Sequence, residues 1–186
     1  WGEWIVKEQY SWNNYLYGNV SSLIKYCYDA DFGADGYLDN KMSLDANDDV
    51  AHVTRDGRWR MPTLQEYQEL LDHCEWTFYT KENGVVFYRI TSKANGNSMV
   101  LPLPGVRDEY GVNESNQTGY YWLNTIGSEY TYNAFMMKFS AEYKGTYDTS
   151  RSFGVCVRPV FSEEVPSNKF TVFFHPNGGS GSMEPL

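Results

Sequence analysis

The sequence Arg58-Trp59-Arg60-Met61-Pro62-Thr63, which continues into residues Leu64 to Cys74, decides the fold prediction because it marks the start of a helix. Pro62 cannot continue a preceding strand, Thr63 is a favourable N-cap, and Glu66 is placed to complete a capping box. Apolar residues then recur at helical spacing, namely Leu64, Tyr67, Leu70, Leu71 and Cys74. This spacing predicts an amphipathic helix that packs one face on a sheet.

A second stretch, Phe153-Gly154-Val155-Cys156-Val157-Arg158-Pro159-Val160, is a short apolar run that stops at Arg-Pro. Such a run is typical of a strand that is buried on both faces. A short helix is also predicted from Asp45 to Val53. The resulting fold class is α+β, with one main helix and one short helix packed on twisted, mainly antiparallel sheets. The two ends of the domain are expected to meet in the core.

Two Asn-Gly pairs predict tight turns between antiparallel strands. The first lies in the segment from Lys81 to Gly84 and joins predicted strands at Trp76–Tyr79 and Val85–Thr91. The second, Asn95-Gly96, turns the chain toward a strand at Ser98–Leu101. The three strands together predict a meander. The polar loop that follows, residues 105–118, is long enough to be either functional or mobile.

The composition changes near residue 162 and divides the chain. Residues 1–162 form the predicted main domain, and residues 163–168 are polar, contain Pro166 and are predicted to be a linker. Within residues 169–186, the strand-like run Lys169–Phe174 precedes a Gly/Ser-rich turn. Residues 169–186 are therefore either an extra strand of the main sheet or a fragment of a further module.

Five motifs occur in order: "WRMPT…ELL" from Trp59 to Leu71, "LPLPG" from Leu101 to Gly105, "GYYW" from Gly119 to Trp122, "A..M.F" from Ala134 to Phe139, and "FGVCVRPV" from Phe153 to Val160. This order resembles the bacterial major-paralogous-domain family, a branch of the C-type lectin fold in the form shared with formylglycine-generating enzymes. The resemblance extends over residues 1–161 and implies a binding scaffold rather than a reaction. Domains of that family usually begin with a further strand before "WGE", which implies a truncated N-terminus. Residues 169–186 resemble the start of an internalin-type B-repeat, the Listeria-Bacteroides repeat of surface proteins.

The composition excludes several classes of protein. With 17% aromatic residues, including 16 Tyr, the chain is too rich in core-forming groups to be disordered. The net charge of −9 argues against nucleic acid as a partner, because no basic stripe is present. The apolar runs are short and interrupted by charges, so no membrane insertion is predicted. The family resemblance implies a location outside the cell or on a bacterial cell surface.

Residues 120–152 carry the functional prediction. In the run Ala134–Phe139, alternation predicts that the odd-numbered residues face inward and that Ala134, Met136 and Lys138 face outward. The flanking segments are rich in Tyr, Ser and Asn, which binding loops favour because Tyr supplies contact area at a low entropic cost. The alternative is a Tyr-rich surface that has no ligand.

Variable proteins of diversity-generating retroelements share the fold that this chain resembles, and their hypervariable positions lie in the corresponding C-terminal region. The resemblance therefore implies one exposed patch that binds a protein or glycan ligand, in adhesion or ligand display. The candidate contact residues are Asn124, Glu129, Tyr130, Tyr132, Met136, Lys138, Tyr143, Tyr147, Ser150 and Ser152.

The residues that two activities of related proteins require are missing from this sequence. Calcium-dependent sugar binding in C-type lectins needs a Glu-Pro-Asn or Gln-Pro-Asp loop and a later Trp-Asn-Asp, and neither occurs. Copper-dependent oxidation by formylglycine-generating enzymes needs two late cysteines, whereas only Cys156 is present and Arg151 stands where its partner is expected. We therefore predict no catalytic residues and no cofactor. A degenerate relative of that oxidase and a purely structural surface or pilus-tip subunit remain the alternatives.

Acidic residues are concentrated between Asp29 and Asp49. Neither acidic run is an EF-hand, because Ala34 and Val50 stand where that loop requires glycine. A structural calcium ion is therefore the lesser alternative to helix caps and solvated charge.

Other residues are predicted to have structural roles. The three cysteines are expected to be free thiols, with a single disulfide and one remaining thiol as the alternative: Cys27, Cys74 and Cys156. Of these, Cys74 and Cys156 are expected to be buried as small apolar groups. Arg60 and Arg158 are expected to pair with carboxylates of the main helix, such as Glu66 or Glu69.

Overall fold

The structure is a computed structural model that describes residues 1–81 and 83–161. The predicted linker at 163–168 and the predicted strand or module fragment at 169–186 lie outside the described residues. The fold is α+β, with few helices and with strand pairs that are all antiparallel. The coarse fold class predicted from the sequence is thus confirmed.

The described residues contain two α-helices, α1 (Val50–Thr54) and α2 (Leu64–His73), and three short 3-10 helices, which span Trp12–Asn14, Ala34–Gly36 and Ala46–Asp48. The strands are β1 (Gly18–Asn19), β2 (Ser22–Leu23), β3 (Trp59–Arg60), β4 (Cys74–Thr80), β5 (Val86–Ser92), β6 (Ser98–Pro102), β7 (Val106–Arg107), β8 (Val112–Asn113), β9 (Thr118–Ile126), β10 (Asn133–Ser140), β11 (Lys144–Ser150) and β12 (Val160–Phe161). They form five small sheets with the orders β1-β2, β11-β10-β9, β12-β3, β4-β5-β6 and β7-β8.

The start of α2 is the one the sequence predicts. The Thr63 hydroxyl accepts from the Glu66 amide at 3.1 Å, and the Glu66 carboxylate accepts from the Thr63 amide at 2.8 Å. Arg60 donates to both oxygens of the same carboxylate, each at 2.7 Å. Because Arg60 lies in β3, which pairs with β12, this ion pair joins the helix to the last of the described strands. Arg158 is exposed and forms no ion pair with the described residues, so its predicted pairing is wrong.

The predicted meander is confirmed as β4-β5-β6, with both Asn-Gly segments at its turns. At the first turn the Lys81 amide donates to the Val85 carbonyl at 2.8 Å, and at the second the Ser92 amide donates to the Asn97 carbonyl at 2.8 Å. Cys74 does not extend the helix but begins β4, so its side chain is half-buried. The loop that follows β6 contains the small β7-β8 hairpin.

The sheet β11-β10-β9 lies between two apolar clusters. One of its faces packs against an aromatic group from the N-terminal part of the chain, which includes Trp1, Tyr15, Tyr17 and Tyr26. The other face packs against α2 and the meander, through Tyr67, Tyr88, Ile90 and Leu101. Ala134 and Met136 are 0% and 2% exposed, so the prediction that they face outward is wrong. The alternation correctly divided the residues of β10 between its two faces. It did not predict that the N-terminal aromatic group covers the face that carries Ala134 and Met136.

The run Phe153–Val160 is not a strand buried on both faces. Gly154 and Cys156 form only isolated bridges, to Arg107 and Tyr121, and regular pairing begins at Val160. The Trp122 amide donates to the Cys156 carbonyl at 2.9 Å, so the run lies along the edge of β9 in place of a full strand. The Cys156 residue is exposed, which corrects its predicted burial.

Gly119 in β9 is required by a close approach inside the second cluster. A Cβ atom at this position would lie 2.2 Å from Cε2 of Phe139, whose ring is fully buried. The ring also stacks on Tyr121, with centroids 5.7 Å apart and planes at 9°, so it has little freedom to move.

We expect Gly119→Ala to lower the free energy of unfolding by about 1–3 kcal/mol, the usual cost of overpacking a core. Chemical denaturation of the purified protein measures this change. The matched control places the same substitution in a Phe139→Leu background, where the clashing ring atoms are absent. There the added methyl group should cost clearly less, and an equal cost in both backgrounds would contradict the steric explanation.

Candidate functional site

The structure separates the ten predicted contact residues into several locations. Met136 is buried, so its side chain cannot contact a ligand at the surface. Asn124 is half-buried in β9, and its main chain bonds to Pro62 and Leu44 at the covered edge of that strand. The other residues form three groups: Glu129, Tyr130 and Tyr132; Lys138, Tyr143 and Tyr147; and Ser150 with Ser152, of which Ser152 is only 2% exposed. A single continuous patch of all ten is therefore not formed.

The first group lies in the loop between β9 and β10. The rings of Tyr130 and Tyr132 stack with centroids 5.1 Å apart and planes at 20°, and Phe32 meets Tyr132 edge-on at 5.1 Å. Tyr130 remains 41% exposed. The neighbouring Glu129 carboxylate raises the pKa of the Tyr130 phenol.

The second group lies on the neighbouring strands β10 and β11 and on the turn that joins them. The Lys138 ammonium is 4.6 Å from the centroid of the Tyr147 ring and 5.7 Å from that of Tyr120. The Tyr120 hydroxyl in turn donates to Glu114 at 2.7 Å. These contacts fix the position of Tyr147, although its side chain is 48% exposed.

The third group belongs to a cleft of about 440 Å³, which we call the aromatic cleft. Its lining combines aromatic rings with hydroxyl, amide and carboxylate groups: Tyr10, Ser11, Trp12, Asn13, Asp108, Glu109, Tyr110, Ser150, Ser152 and Phe153. The hydroxyl oxygens of Ser150 and Ser152 are hydrogen-bonded to each other at 2.7 Å. A volume of this size falls within the usual range for small-ligand sites.

One wall of the aromatic cleft is the N-terminal turn that contains Trp12. The Asn14 amide donates to the Ser11 carbonyl at 3.3 Å, and the Ser11 amide donates to the Asn14 side chain at 3.2 Å. The Trp12 ring meets Tyr15 edge-on at 5.2 Å, and Tyr15 is buried in the core. Trp12 is therefore held in place by the interior of the domain.

The Tyr10 ring rests directly on the backbone of Gly154. A Cβ atom at Gly154 would lie 2.8 Å from Cδ2 of Tyr10, so only glycine permits this contact. The Tyr10 hydroxyl accepts from the Lys7 amide at 3.3 Å.

The opposite wall is the turn between β7 and β8. One oxygen of Asp108 accepts from the amides of Tyr110 and Gly111, at 2.8 and 3.1 Å, and the other accepts from the Asn113 side chain at 2.8 Å. These bonds order the turn, while Tyr110 itself is 88% exposed. The side chain of Tyr110 is thus exposed at the entrance of the cleft, on a turn that hydrogen bonds hold in place.

A second cleft, of about 400 Å³, lies on the other side of Tyr10 and Phe153. Its lining is mainly apolar and includes Trp122 together with the exposed side chains of Trp4, Ile5 and Val6. A smaller share of its lining residues carries hydrogen-bonding side chains than in the aromatic cleft, so we assign the candidate site to the aromatic cleft.

Behind the aromatic cleft, the fully buried Arg151 joins three parts of the chain. Its guanidinium donates to the carbonyls of Tyr26 at 2.7 Å and Lys25 at 2.9 Å, and it lies 5.4 and 6.0 Å from the ring centroids of Tyr15 and Trp1. Burial lowers the pKa of Arg151. Since Arg151 stands between Ser150 and Ser152, it fixes the main chain at the wall of the cleft.

The acidic residues of the region 29–49 are largely engaged by the protein itself. Asp39 accepts from the amides of Tyr26 and Cys27, at 2.7 and 2.9 Å. Asp49 caps α1 and also accepts from the Met61 amide at 2.7 Å. Within residues 1–81 and 83–161, no group of three or more His, Cys, Asp or Glu side chains is arranged to hold a metal ion.

All three cysteines are free thiols, as predicted: Cys27, Cys74 and Cys156.

Comparison of the chain with protein-family models, with curated proteins and with solved structures finds no match. In the described part of the chain, no helix has the length and apolar character needed to cross a membrane.

Sequence reasoning identified Ser150 and Ser152 but missed the residues opposite them, Tyr10, Trp12 and Tyr110. A usable signal was present, because the segment Tyr10–Asn14 has the Tyr/Ser/Trp/Asn composition of a binding loop. The long loop 105–118 was already expected to be functional or mobile. The sequence alone does not show that both segments meet at the end of β11.

The carboxylate of Asp48 supports the N-terminal aromatic group and makes its stability depend on pH. Burial acts to raise the pKa of Asp48, but hydrogen bonds from Lys25 and the Tyr26 hydroxyl outweigh it and hold the pKa below the ordinary value. The folded protein therefore binds this proton less readily than the unfolded chain. The resulting stability is present above the unfolded pKa of about 3.9 and is lost as the pH falls through the lower folded pKa.

We expect Asp48→Asn to lower the free energy of unfolding by about 2 kcal/mol at neutral pH, because charged hydrogen bonds to a buried group are lost. The difference from the unsubstituted protein should shrink as denaturation is repeated at pH values below about 4. Asp31→Asn, which changes an exposed carboxylate, is the control and should leave the curve unaltered. A difference that stays constant with pH would rule out this ionic role.

Proposed function

We propose that the chain is a non-enzymatic ligand-binding module on a C-type-lectin-like fold, which acts in adhesion at a bacterial cell surface or as a secreted protein. Its ligand is a neutral saccharide that binds in the aromatic cleft. The observation that carries this proposal is that Tyr10, Trp12 and Tyr110 line one cleft with the hydroxyls of Ser150 and Ser152.

A sugar ring presents two kinds of surface, and the aromatic cleft offers a partner for each. The C–H groups on one face of a pyranose are apolar and stack on aromatic rings, which bury a large area and have few rotatable bonds. The hydroxyl groups around the ring edge require hydrogen-bond donors and acceptors. Ser150, Asn13 and the carboxylates of Asp108 and Glu109 supply both types at the cleft wall.

The charge of the cleft favours a neutral saccharide over a sialylated or sulfated one. Asp108 and Glu109 line the cleft, no Lys or Arg is among its described lining residues, and the chain carries a net charge of −9. An anionic sugar would meet like charges without a cation to compensate them, which costs binding energy.

The C-type-lectin-like architecture is supported by the way the ends of the described region converge on the central sheet. The indole of Trp1 donates to the Leu123 carbonyl at 2.7 Å, and β12 pairs with β3 immediately before α2. Between these anchored ends, the loop region 105–117 and the turn at residues 11–14 are free to form a site. Loops positioned by a rigid scaffold are the usual place for binding residues.

The oxidase alternative receives no support from the surroundings of Cys156. A copper(I) site of that type needs a second thiolate, and the position five residues earlier is Arg151, whose guanidinium is buried against Tyr15 and Trp1.

The proposal is tested with an array of immobilised oligosaccharides that contains neutral, sialylated and sulfated members. We expect binding to neutral members only. Titration calorimetry with the best of them then compares the unsubstituted chain with Tyr110→Ala and Trp12→Ala. Each substitution should weaken binding about tenfold or more, because truncation of a central aromatic contact costs roughly 2 kcal/mol.

Tyr130→Ala is the matched control, since it removes an exposed Tyr of the β9–β10 loop that does not line the aromatic cleft. It should leave the affinity unchanged. Tyr110 is the more decisive variant, because its ring is 88% exposed and its removal cannot disturb the core. Absence of binding to every neutral oligosaccharide, or equal loss in the Tyr130 variant, would exclude the aromatic cleft as a saccharide site.

A further inference from the structure

Strand β11 forms a free edge of the central sheet. Its only strand partner among residues 1–81 and 83–161 is β10, with seven residue pairs in an uninterrupted register. The other edge of the same sheet, β9, is covered by main-chain bonds from Pro62, Met42 and Cys156. Edge strands of this length and regularity are templates for pairing with another strand.

The hydrogen bond at the β10–β11 hairpin shows which groups of β11 face outward. The Ser140 amide donates to the Tyr143 carbonyl at 2.7 Å, so the odd-numbered residues of β11 bond to β10. In an antiparallel pair the N–H and C=O of each residue point to the same side and alternate along the strand. Lys144, Thr146 and Asp148 therefore direct their amide and carbonyl groups away from the sheet.

The side chains of these residues carry opposite charges on either side of Thr146. Neither Lys144 nor Asp148 forms an ion pair with the described residues. The Lys144 ammonium lies 5.6 Å from the ring centroid of Tyr88, and the Asp148 carboxylate accepts from Asn133 at 3.4 Å. The two charges are four residues apart on one strand, about 13 Å, so they cannot pair within one molecule.

The geometry points to two-fold antiparallel pairing of β11 with β11 of a second copy of this chain, centred on Thr146. In this register the outward groups of the two Thr146 residues bond to each other, and Lys144 of each copy lies opposite Asp148 of the other. Opposite-charge pairs directly across an antiparallel ladder are stabilising, and like-charge pairs are destabilising. The sequence of β11 is thus complementary to itself under a two-fold axis, the commonest symmetry of protein oligomers.

The tyrosine side chains on the other face of β11 are also consistent with this register. Tyr143 and Tyr147 are 46% and 48% exposed and lie on the same face, on either side of Gly145. Pairing places Tyr147 of one copy opposite Gly145 of the other and diagonal to Tyr143, which buries both rings further. The Tyr143 hydroxyl already donates to the Thr146 carbonyl at 3.2 Å, and the second lone pair of that oxygen is left for the partner amide.

Charge reversal tests the pairing in sedimentation equilibrium of the full chain over a concentration series. We expect the unsubstituted chain to dimerise in a concentration-dependent manner. Lys144→Glu and Asp148→Lys should each weaken the dimer about tenfold or more, because two cross-strand attractions become repulsions. An equimolar mixture of the two variants should dimerise again, since both cross-strand pairs in the mixed dimer then join opposite charges.

Thr146→Pro provides a second test that does not depend on charge. It removes an outward amide that bonds to no other part of the described chain, so an edge-strand proline should leave the monomer folded and abolish the dimer. Thr146→Val keeps the amide and should dimerise normally. A chain that stays monomeric at all concentrations, as when another strand occupies the edge, overturns the pairing, and so does a dimer that the charge reversals and the proline leave unchanged.

Discussion

The buried guanidinium of Arg151 makes the contacts on which the arrangement of the rest of the domain depends. It is fully buried, bonds to the carbonyls of Lys25 and Tyr26, and lies against the aromatic rings of the N-terminal segment. No carboxylate among the described residues forms an ion pair with it. An unpaired buried charge is costly, so the carbonyls and rings must remain in place for the domain to fold. Because Trp12 packs on Tyr15, one of those rings, the wall of the aromatic cleft is fixed by the same contact.

The second constraint is that the central sheet is covered on both faces. Tyr120, Trp122 and Met136 bury one face under the N-terminal aromatic group, while Tyr121 and Phe139 bury the other under α2 and the meander. Little of the sheet surface is left for a ligand. The exposed residues among the predicted contacts therefore lie in the loops and on the edge strand β11, which explains why they do not form one continuous patch.

What the sequence predicts well is local. The capping box of Thr63 and Glu66 and the two Asn-Gly turns depend on residues within a few positions of each other, and all are found in the structure. The errors arise where distant segments decide the outcome. Met136 is buried because residues from the start of the chain cover it, and Cys156 is exposed because its segment forms isolated bridges along β9. The aromatic cleft was missed for the same reason, since its walls are about 100 residues apart in sequence.

The aromatic cleft and the free edge share one strand, and this determines what pairing would do for binding. Ser150 lies four residues beyond Thr146, so two-fold pairing places the two Ser150 residues at opposite ends of the joined strands, about 27 Å apart at 3.4 Å per residue. The charged pairs of this register extend from Lys144 to Asp148, and Ser150 of each copy lies two residues beyond them. Under the proposed function, a repetitive saccharide that spans this distance would bind both clefts at once, and the second contact would then form at a high effective concentration. Two-fold pairing would in this way strengthen attachment to a surface that carries many copies of the ligand.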